Sequence, residues 1–399
     1  MRRWLIGIFA LLLVAAAAFF LFAPGMIERG TNKIDGKPLL HVSEHAKALH
    51  KTLTIVDLHS DSLLWSRNFL NRADRGHMDL PRLEEGNVAL QILSSTTKAP
   101  KGQNYDANSG DTDIVTALAI AQLQPVRTWN SLLERSLWHA EKLHRAAAAS
   151  AGRLVAVATQ DQLDALLAAR RTKVPPPVGA MMSVEGLHNL EGHIDNLDKL
   201  YAAGVRMAGI THFFDNEFAG SMHGLKKGGL TPLGREVVRR MEAMGMIVDV
   251  AHCSHACVAD ILKVARRPVV SSHGGVQATC KVNRNLTDDE IRGVAATGGV
   301  VGIGYWDAAV CDTSPASVAK AMKHVRDLVG IEHVALGSDY DGATTVRFDT
   351  SQIVQVTEAL IEAGFTDDEI RAAMGGNAIR VLRAGLVPLT PPLDRNAAE

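Results

Sequence analysis

Eight short apolar segments, near 54–59, 88–93, 178–184, 205–211, 247–251, 269–272, 300–304 and 334–338, alternate with helix-like stretches along this chain. Each is rich in Val, Ile, Leu or Ala, as expected of parallel strands covered on both faces. Six are followed at once by a metal-ligand-type or acidic side chain: His59 with Asp61, Glu185, His212, His252, His273 and Asp339. One such residue after one strand is noise. Repetition along the chain implies that many parallel strands deliver ligands to one face. The expected architecture is therefore α/β, a (β/α)8 TIM-like barrel with a metal site at the C-terminal ends of its strands.

The segments between the strands read as helices over 196–203, 231–244, 255–264, 288–296 and 314–328. A long Ala-rich stretch over 112–149 is also helical in pattern, with a break or kink at Pro125. Thr287-Asp288-Asp289-Glu290 and Thr366-Asp367-Asp368-Glu369 are capping boxes. Residues 154–158 are a ninth strand candidate, read as an excursion between the second and third barrel strands. With 399 residues, 47 % hydrophobic and 21 % charged, the chain has a globular composition and the length for such a barrel. A net charge of -1 gives no electrostatic footprint for nucleic acid. Gly298-Gly299 lacks the strand–GxGxxG–helix context of a nucleotide loop.

Met1-Arg2-Arg3 precedes an uncharged run over 4–23. At about 1.5 Å per residue such a run spans the ~30 Å hydrocarbon core of a bilayer, and the Arg pair holds its start in the cytoplasm. The other reading is a cleaved signal peptide, with Ala16-Ala17-Ala18 as a small-residue site. Either places the bulk of the chain outside the cytoplasm: anchored in the inner membrane facing the periplasm, or periplasmic or secreted. The expected division is an anchor or signal over 1–26, a Gly- and Pro-bearing linker over 27–50 ending in a short helix near 43–51, a metal-dependent hydrolase barrel over 51–388 and a polar tail over 389–399. In that compartment disulfides are permitted. Cys280 and Cys311 follow the sixth and seventh strands, so neighbouring loops can bring them together. Cys253 and Cys257 lack the spacing of a structural zinc site.

His59 and Asp61 are two apart, so alternation points both the same way. Glu185 has two oxygens and can bridge two cations. His252 and His273 are imidazoles, which suit zinc. The set makes a dinuclear site: His59, Asp61 and Glu185 on one metal; Glu185, His252 and His273 on the other. Two such metals ~3.5–4 Å apart activate a water and clamp a carbonyl or phosphoryl oxygen. Asp339 can carry a proton from that water to a leaving amine. Asp57 shares the ligand face but reads equally well as a buried hydrogen-bonding residue. Asp341, before Gly342, reads as a turn cap. His188, three residues after Glu185, can support a ligand.

Several of these pieces occur together, in order, over about residues 52–385: Asp57-Leu58-His59-Ser60-Asp61, Val184-Glu185-Gly186, Ile210-Thr211-His212, Asp249-Val250-Ala251-His252-Cys253-Ser254, Ser272-His273, Arg284-Asn285-Leu286 and Gly337-Ser338-Asp339-Tyr340-Asp341-Gly342. The chain thereby resembles the membrane dipeptidase (renal dipeptidase) family of zinc peptidases. The resemblance implies a TIM-like barrel, two Zn2+ per subunit bridged by Glu185, and metal ligands His59, Asp61, Glu185, His252 and His273. It implies Asp339 as the catalytic base and His212, Arg284 and Tyr305 as substrate-binding residues. Departures occur at Gly186-Leu187-His188, at 213–218 and at Ser272-His273-Gly274-Gly275, on loops that shape the pocket, so side-chain preference does not carry over. The expected function is zinc-dependent hydrolysis of dipeptides by a dinuclear metal-activated hydroxide, with dipeptides ending in a D-residue among the substrates. The alternatives are a hydrolase of N-acyl amino acids or lactones on the same scaffold, and a non-catalytic metal-stabilised binding protein. Expected partners are a small dipeptide, the membrane through the N-terminal segment and, left open, a second copy in a homodimer.

Overall fold

A computed structural model describes residues 2–389, so all but the first residue of the tail expected over 389–399 lies outside the described residues. Eight parallel strands close into a barrel: β1 (Ile55–Asp57), β2 (Val88–Leu93), β3 (Val178–Glu185), β4 (Val205–Gly209), β5 (Ile247–Asp249), β6 (Val270–Ser271), β7 (Val300–Ile303) and β8 (Val334–Leu336). Closure is made where Leu336 of β8 is in register with Asp57 of β1. The candidate strand near 154–158 forms as Leu154–Ala156. It pairs with the first half of β3, on the edge whose second half pairs with β4, so it is the expected excursion.

Alternation along the strands sorts side chains between two apolar layers. Ala180, Met182 and Val184 of β3 join the layer under the covering helices, whereas Met181 faces the barrel interior. Glu185 shares the parity of Met181, so it points inward at the strand's C-terminal end. The same parity places Ile247 inside and turns Asp249 inward two residues later. The 112–149 stretch divides into Ile114–Ala121, Arg127–Asn130 and Leu132–Ala149, broken around Pro125 as its missing N–H requires. Both capping boxes form, each Thr hydroxyl and Glu carboxylate satisfying backbone donors reciprocally.

The N-terminal segment departs from expectation. One helix runs from Arg2 to Thr31, through Pro24 and Gly25. It is long and apolar enough to cross a membrane, and its apolar window is unburied. Residues 27–50 are docked rather than a free linker. Lys33–Ile34 pairs in parallel with Thr345–Val346, and the Leu40 and Ser43 amides donate to Gln355 Oε1 at 2.8 Å and Glu358 Oε2 at 2.6 Å. The reason is tertiary. Proline removes one helical donor, but Glu28, 1 % exposed, takes Arg67 Nε at 2.6 Å and Arg75 Nε at 2.8 Å. These ion pairs hold the helical turn beyond the proline against the barrel rim.

Candidate metal centre

The C-terminal ends of the strands converge on one buried cluster. Glu185 Oε1 lies 2.8 Å from His252 Nε2, 3.1 Å from His273 Nε2 and 3.6 Å from His59 Nε2. Asp61 Oδ2 lies 3.6 Å and Asp339 Oδ1 3.9 Å from the same His59 nitrogen. His212 approaches from β4, its Nε2 3.5 Å from Glu185 Oε2. Three sets of donor atoms are each compact enough for a cation: His59–Asp61–Glu185, His59–His273–Asp339 and Glu185–His212–His252. All seven side chains are thus brought together. His212, expected on the substrate, also stands within ligand reach.

The backbone is bent to achieve this. His252 at φ 63° and Asp339 at φ 59° occupy the left-handed region, which costs a non-glycine residue of the order of 1 kcal/mol or more. Each follows a strand closely, and the turn brings its side chain over the barrel mouth. Gly342 clears the space beside them: a Cβ there would stand 2.2 Å from Asp339 Oδ1 and 2.9 Å from Asp61 Oδ2.

Supporting residues fix the ligands. Asp249 Oδ1 accepts from the amides of Ala251 at 3.0 Å and Ser272 at 2.9 Å, and its other oxygen accepts from the Ser272 hydroxyl. That hydroxyl has one proton, so towards His273 Nδ1, 2.8 Å away, it accepts. His273 is thereby held with Nδ1 protonated and a lone pair on Nε2, the form a metal ligand needs. Lys98 O, 3.2 Å from His212 Nδ1, accepts a hydrogen bond from that nitrogen and turns His212 Nε2 towards Glu185. His59 Nε2 is buried without a hydrogen-bond partner. Lone pairs and carboxylate oxygens converging in a dry cluster repel one another unless a cation stands between them, so the donor set fits a metal.

The Thr96 hydroxyl lies 2.8 Å from Asp61 Oδ1 and 2.7 Å from Glu185 Oε2, tying the two carboxylates. Neither Thr96 nor the Asp249–Ser272 pair was assigned a role from sequence. Thr96 lies in the polar run Ser94-Ser95-Thr96-Thr97 just after β2, the one signal that could have found it. Asp57 joins strands instead of facing the cluster's donors: its Oδ1 accepts from the amides of His59 at 3.2 Å and Ser338 at 2.9 Å. His188 Nε2 meets the Thr97 hydroxyl at 2.9 Å, at the edge of the cluster.

Electrostatics follow this crowding. Burial raises the Glu185 carboxyl's pKa, but the surrounding imidazoles, His212 and His59 first and then His252 and His273, outweigh it and hold it well below the usual carboxylate range. Asp339 goes the other way. Burial, then the neighbouring Asp61 and Glu185 charges, push it well up, against the pull of His59 and Arg284. Arg284 is buried, its Nη2 donating to His273 O at 2.7 Å and lying 3.4 Å from His252 Nε2.

A cavity of about 500 Å³ opens above the cluster, with Asp61, Thr96, Glu185, His212, His252, Arg284 and Asp339 in its wall. Tyr305 is placed elsewhere. Its ring is fully buried against Tyr340 and Phe348, with ring centres 5.5 and 5.3 Å away, and Trp306 lines the cavity in its stead. Asp341 also differs from its expected role. It is no exposed cap: it is fully buried, binds Arg67 and accepts from the His77 amide at 2.6 Å.

Comparison with known proteins agrees with this geometry. The profile of the family described as membrane dipeptidase (Peptidase family M19) matches residues 43–386. Dipeptidase aclJ of Aspergillus oryzae is 29 % identical over 362 residues, covering 85 % of this chain and 80 % of the relative. Among solved structures, the probable dipeptidase PvdM of Pseudomonas aeruginosa superimposes with a TM-score of 0.71 at 20 % identity, over 86 % of this chain and 98 % of its own. A metallopeptidase from Rhodobacter sphaeroides, liganded with a phosphinate mimic of the dipeptide L-Ala-D-Ala, gives 0.66 at 22 % identity, over 84 % and 99 %.

Proposed function

The chain belongs to the membrane dipeptidase family (peptidase family M19) and is a metallo-dipeptidase, and we propose that it hydrolyses dipeptides with two zinc ions held by His59, Asp61, Glu185, His252 and His273. The observation that carries this reading is the position of Glu185, one carboxylate within 3.6 Å of four imidazole nitrogens that follow different strands. Bound there, divalent ions would polarise a scissile carbonyl and lower the pKa of a water to the neutral range. The chain's own residues do the rest. Arg284 binds the substrate carboxylate, and its burial strengthens that pairing. Asp339, a carboxyl in the cavity wall 3.9 Å from His59, takes a proton from the attacking water and delivers it to the leaving amine. His212 stabilises the oxygen on which charge develops. Thr96, Asp249 and Ser272 keep the ligands oriented.

The relative bound to an L-Ala-D-Ala mimic supports including a C-terminal D-residue among the substrates. The N-terminal helix would anchor the barrel on the periplasmic face of the inner membrane. Elemental analysis after zinc reconstitution should give two metals per chain; one or none refutes the dinuclear site. Glu185→Gln should deplete both and His252→Ala mainly one, while His212→Ala should keep both and lose turnover. A panel of free dipeptides, N-acetylated analogues and lactones decides the reaction class, since Arg284 requires a carboxylate but not a free α-amine.

A further inference from the structure

The cavity above the metal cluster is not walled by the barrel alone. Phe19, Ile27 and Thr31 of the N-terminal helix line it, facing an apolar flank that includes Leu64, Ile114 and Leu118. Positions 19, 27 and 31 are spaced by eight and four, hence on one helical face. That face borders the docked stripe, in which Pro24 and Glu28 are buried. The helix is fixed there at both ends of its last turn. Glu28 is clamped by Arg67 and Arg75, and beyond Thr31 the chain joins Thr345–Val346 as a strand. Arg67 also binds Asp341, two residues from Asp339, so the helix is tied to the loop that carries Asp339. The base of the cavity is polar and the helix side apolar, within one continuous space of about 500 Å³.

We propose that the N-terminal helix is a wall of the substrate site: Phe19 and Ile27 complete an apolar subsite that takes a large apolar side chain of the dipeptide. The inference rests on the dipeptidase reading and adds a substrate preference to it. A small dipeptide needs only the polar base; the flank is contiguous with it, and its Leu64 and Leu118 belong to a small apolar cluster with Trp65, Ala99 and Val115, apart from the main core. The helix therefore acts as a specificity element as well as an anchor.

The test uses full-length, zinc-loaded protein in lipid nanodiscs and two phosphinate pseudo-dipeptides, one with methyl and one with benzyl side chains. Calorimetry gives their affinities, and kcat/KM is measured for the matching dipeptides. In the Phe19→Ala/Ile27→Ser variant the benzyl-to-methyl affinity ratio should fall roughly tenfold, the loss expected for removing part of an apolar contact. Affinity for the methyl compound should not change. Leu118→Trp, which narrows the same flank from the barrel side, should lower the ratio as well. Leu12→Ala, on an exposed part of the helix outside the cavity, should leave it unchanged. An equal ratio in wild type and the double variant overturns the subsite. A ratio that changes in detergent but not in nanodiscs assigns the flank to lipid and also overturns it. If wild type binds neither phosphinate and cleaves no dipeptide, the dipeptidase reading itself fails.

Discussion

Asp339 and Asp341 are two residues apart, both in left-handed backbone, yet they face different partners. Asp341 turns away from the cavity into Arg67 and His77. Asp339 stands 3.9 Å from His59 and lines the cavity. Asp339→Asn should therefore retain the wild-type metal content and lose ~10²–10⁴-fold in kcat, as for removal of a general base; near-full activity across the pH range would exclude it as proton carrier. The residues that converge were legible because each follows an apolar strand. Asp341 was misread because one sequence cannot show that Arg67, more than 270 positions away, would reach it. The Asp249–Ser272–His273 chain escaped for the same reason, since Asp249 ends one strand while Ser272 and His273 follow the next. A different residue sets a pH dependence. His50 is buried, its rings' nitrogens 2.8 Å from the Thr357 hydroxyl and 3.1 Å from Gly86 O. Burial lowers its pKa from 6.5 to about 4, against the hydrogen bond to Gly86. Between those values the unfolded chain binds a proton that the folded chain does not, so stability falls as pH drops from about 6.5 to 4, by at most on the order of 3 kcal/mol. Denaturant midpoints at pH 7.5 and 5 should diverge less in His50→Gln than in wild type.

The strands were legible as elements because a parallel barrel strand is buried on both faces and must be apolar throughout. Their pairing order needed only the rule that sequential strands neighbour one another. What composition could not give was the interruption of the N-terminal pattern: Pro24 and Gly25 signal a stop, and the helix continues because Glu28 finds two buried or half-buried arginines. The loops after β6 and β7 did behave as their position suggested. Cys280 and Cys311 are disulfide-bonded with Cα atoms 5.3 Å apart. Beside the bond, Asn285 Nδ2 donates to Cys280 O at 2.8 Å and Ala309 O at 2.9 Å, so the bridge braces the loop that presents Arg284. Closing a loop across 31 positions restricts the unfolded chain by ~3–4 kcal/mol in the chain-entropy account. Cys280→Ser/Cys311→Ser should lose stability of that order and, with Arg284 in its proposed substrate-binding role, raise KM more than it lowers kcat. An unchanged denaturation midpoint, or free thiols at both positions in periplasm-derived protein, would contradict this.

At the scale of the whole molecule, the N-terminal helix and the barrel are joined by charge as well as by chain. Glu28 pairs with two arginines, and Arg67 passes the connection to Asp341. A cut before residue 27 removes the apolar run and keeps this junction; a cut after Thr31 removes Glu28 and leaves Arg75 with the exposed Asp74 as its ion-pair partner. Removing one partner of a buried pair costs up to ~3–5 kcal/mol, chiefly because the remaining charge stays buried. Deletion of residues 1–26 should therefore give soluble protein that holds its metals and hydrolyses small dipeptides. Deletion of residues 1–31 should give protein with a clearly lower thermal midpoint, and Glu28→Gln in the full chain should fall between them. Equal midpoints for the two truncations would mean that the ion pairs add nothing to the barrel. Fractionation of the full-length protein tests the anchor separately. Recovery in the membrane fraction with an intact N-terminus supports it, whereas a soluble form beginning after Ala18 or Ala23 shows cleavage. Cleavage after Ala18 would keep Phe19 as the new N-terminal residue, whereas cleavage after Ala23 would remove it and leave only the docked turn, so the site of cleavage would also decide whether the mature cavity keeps its helical wall.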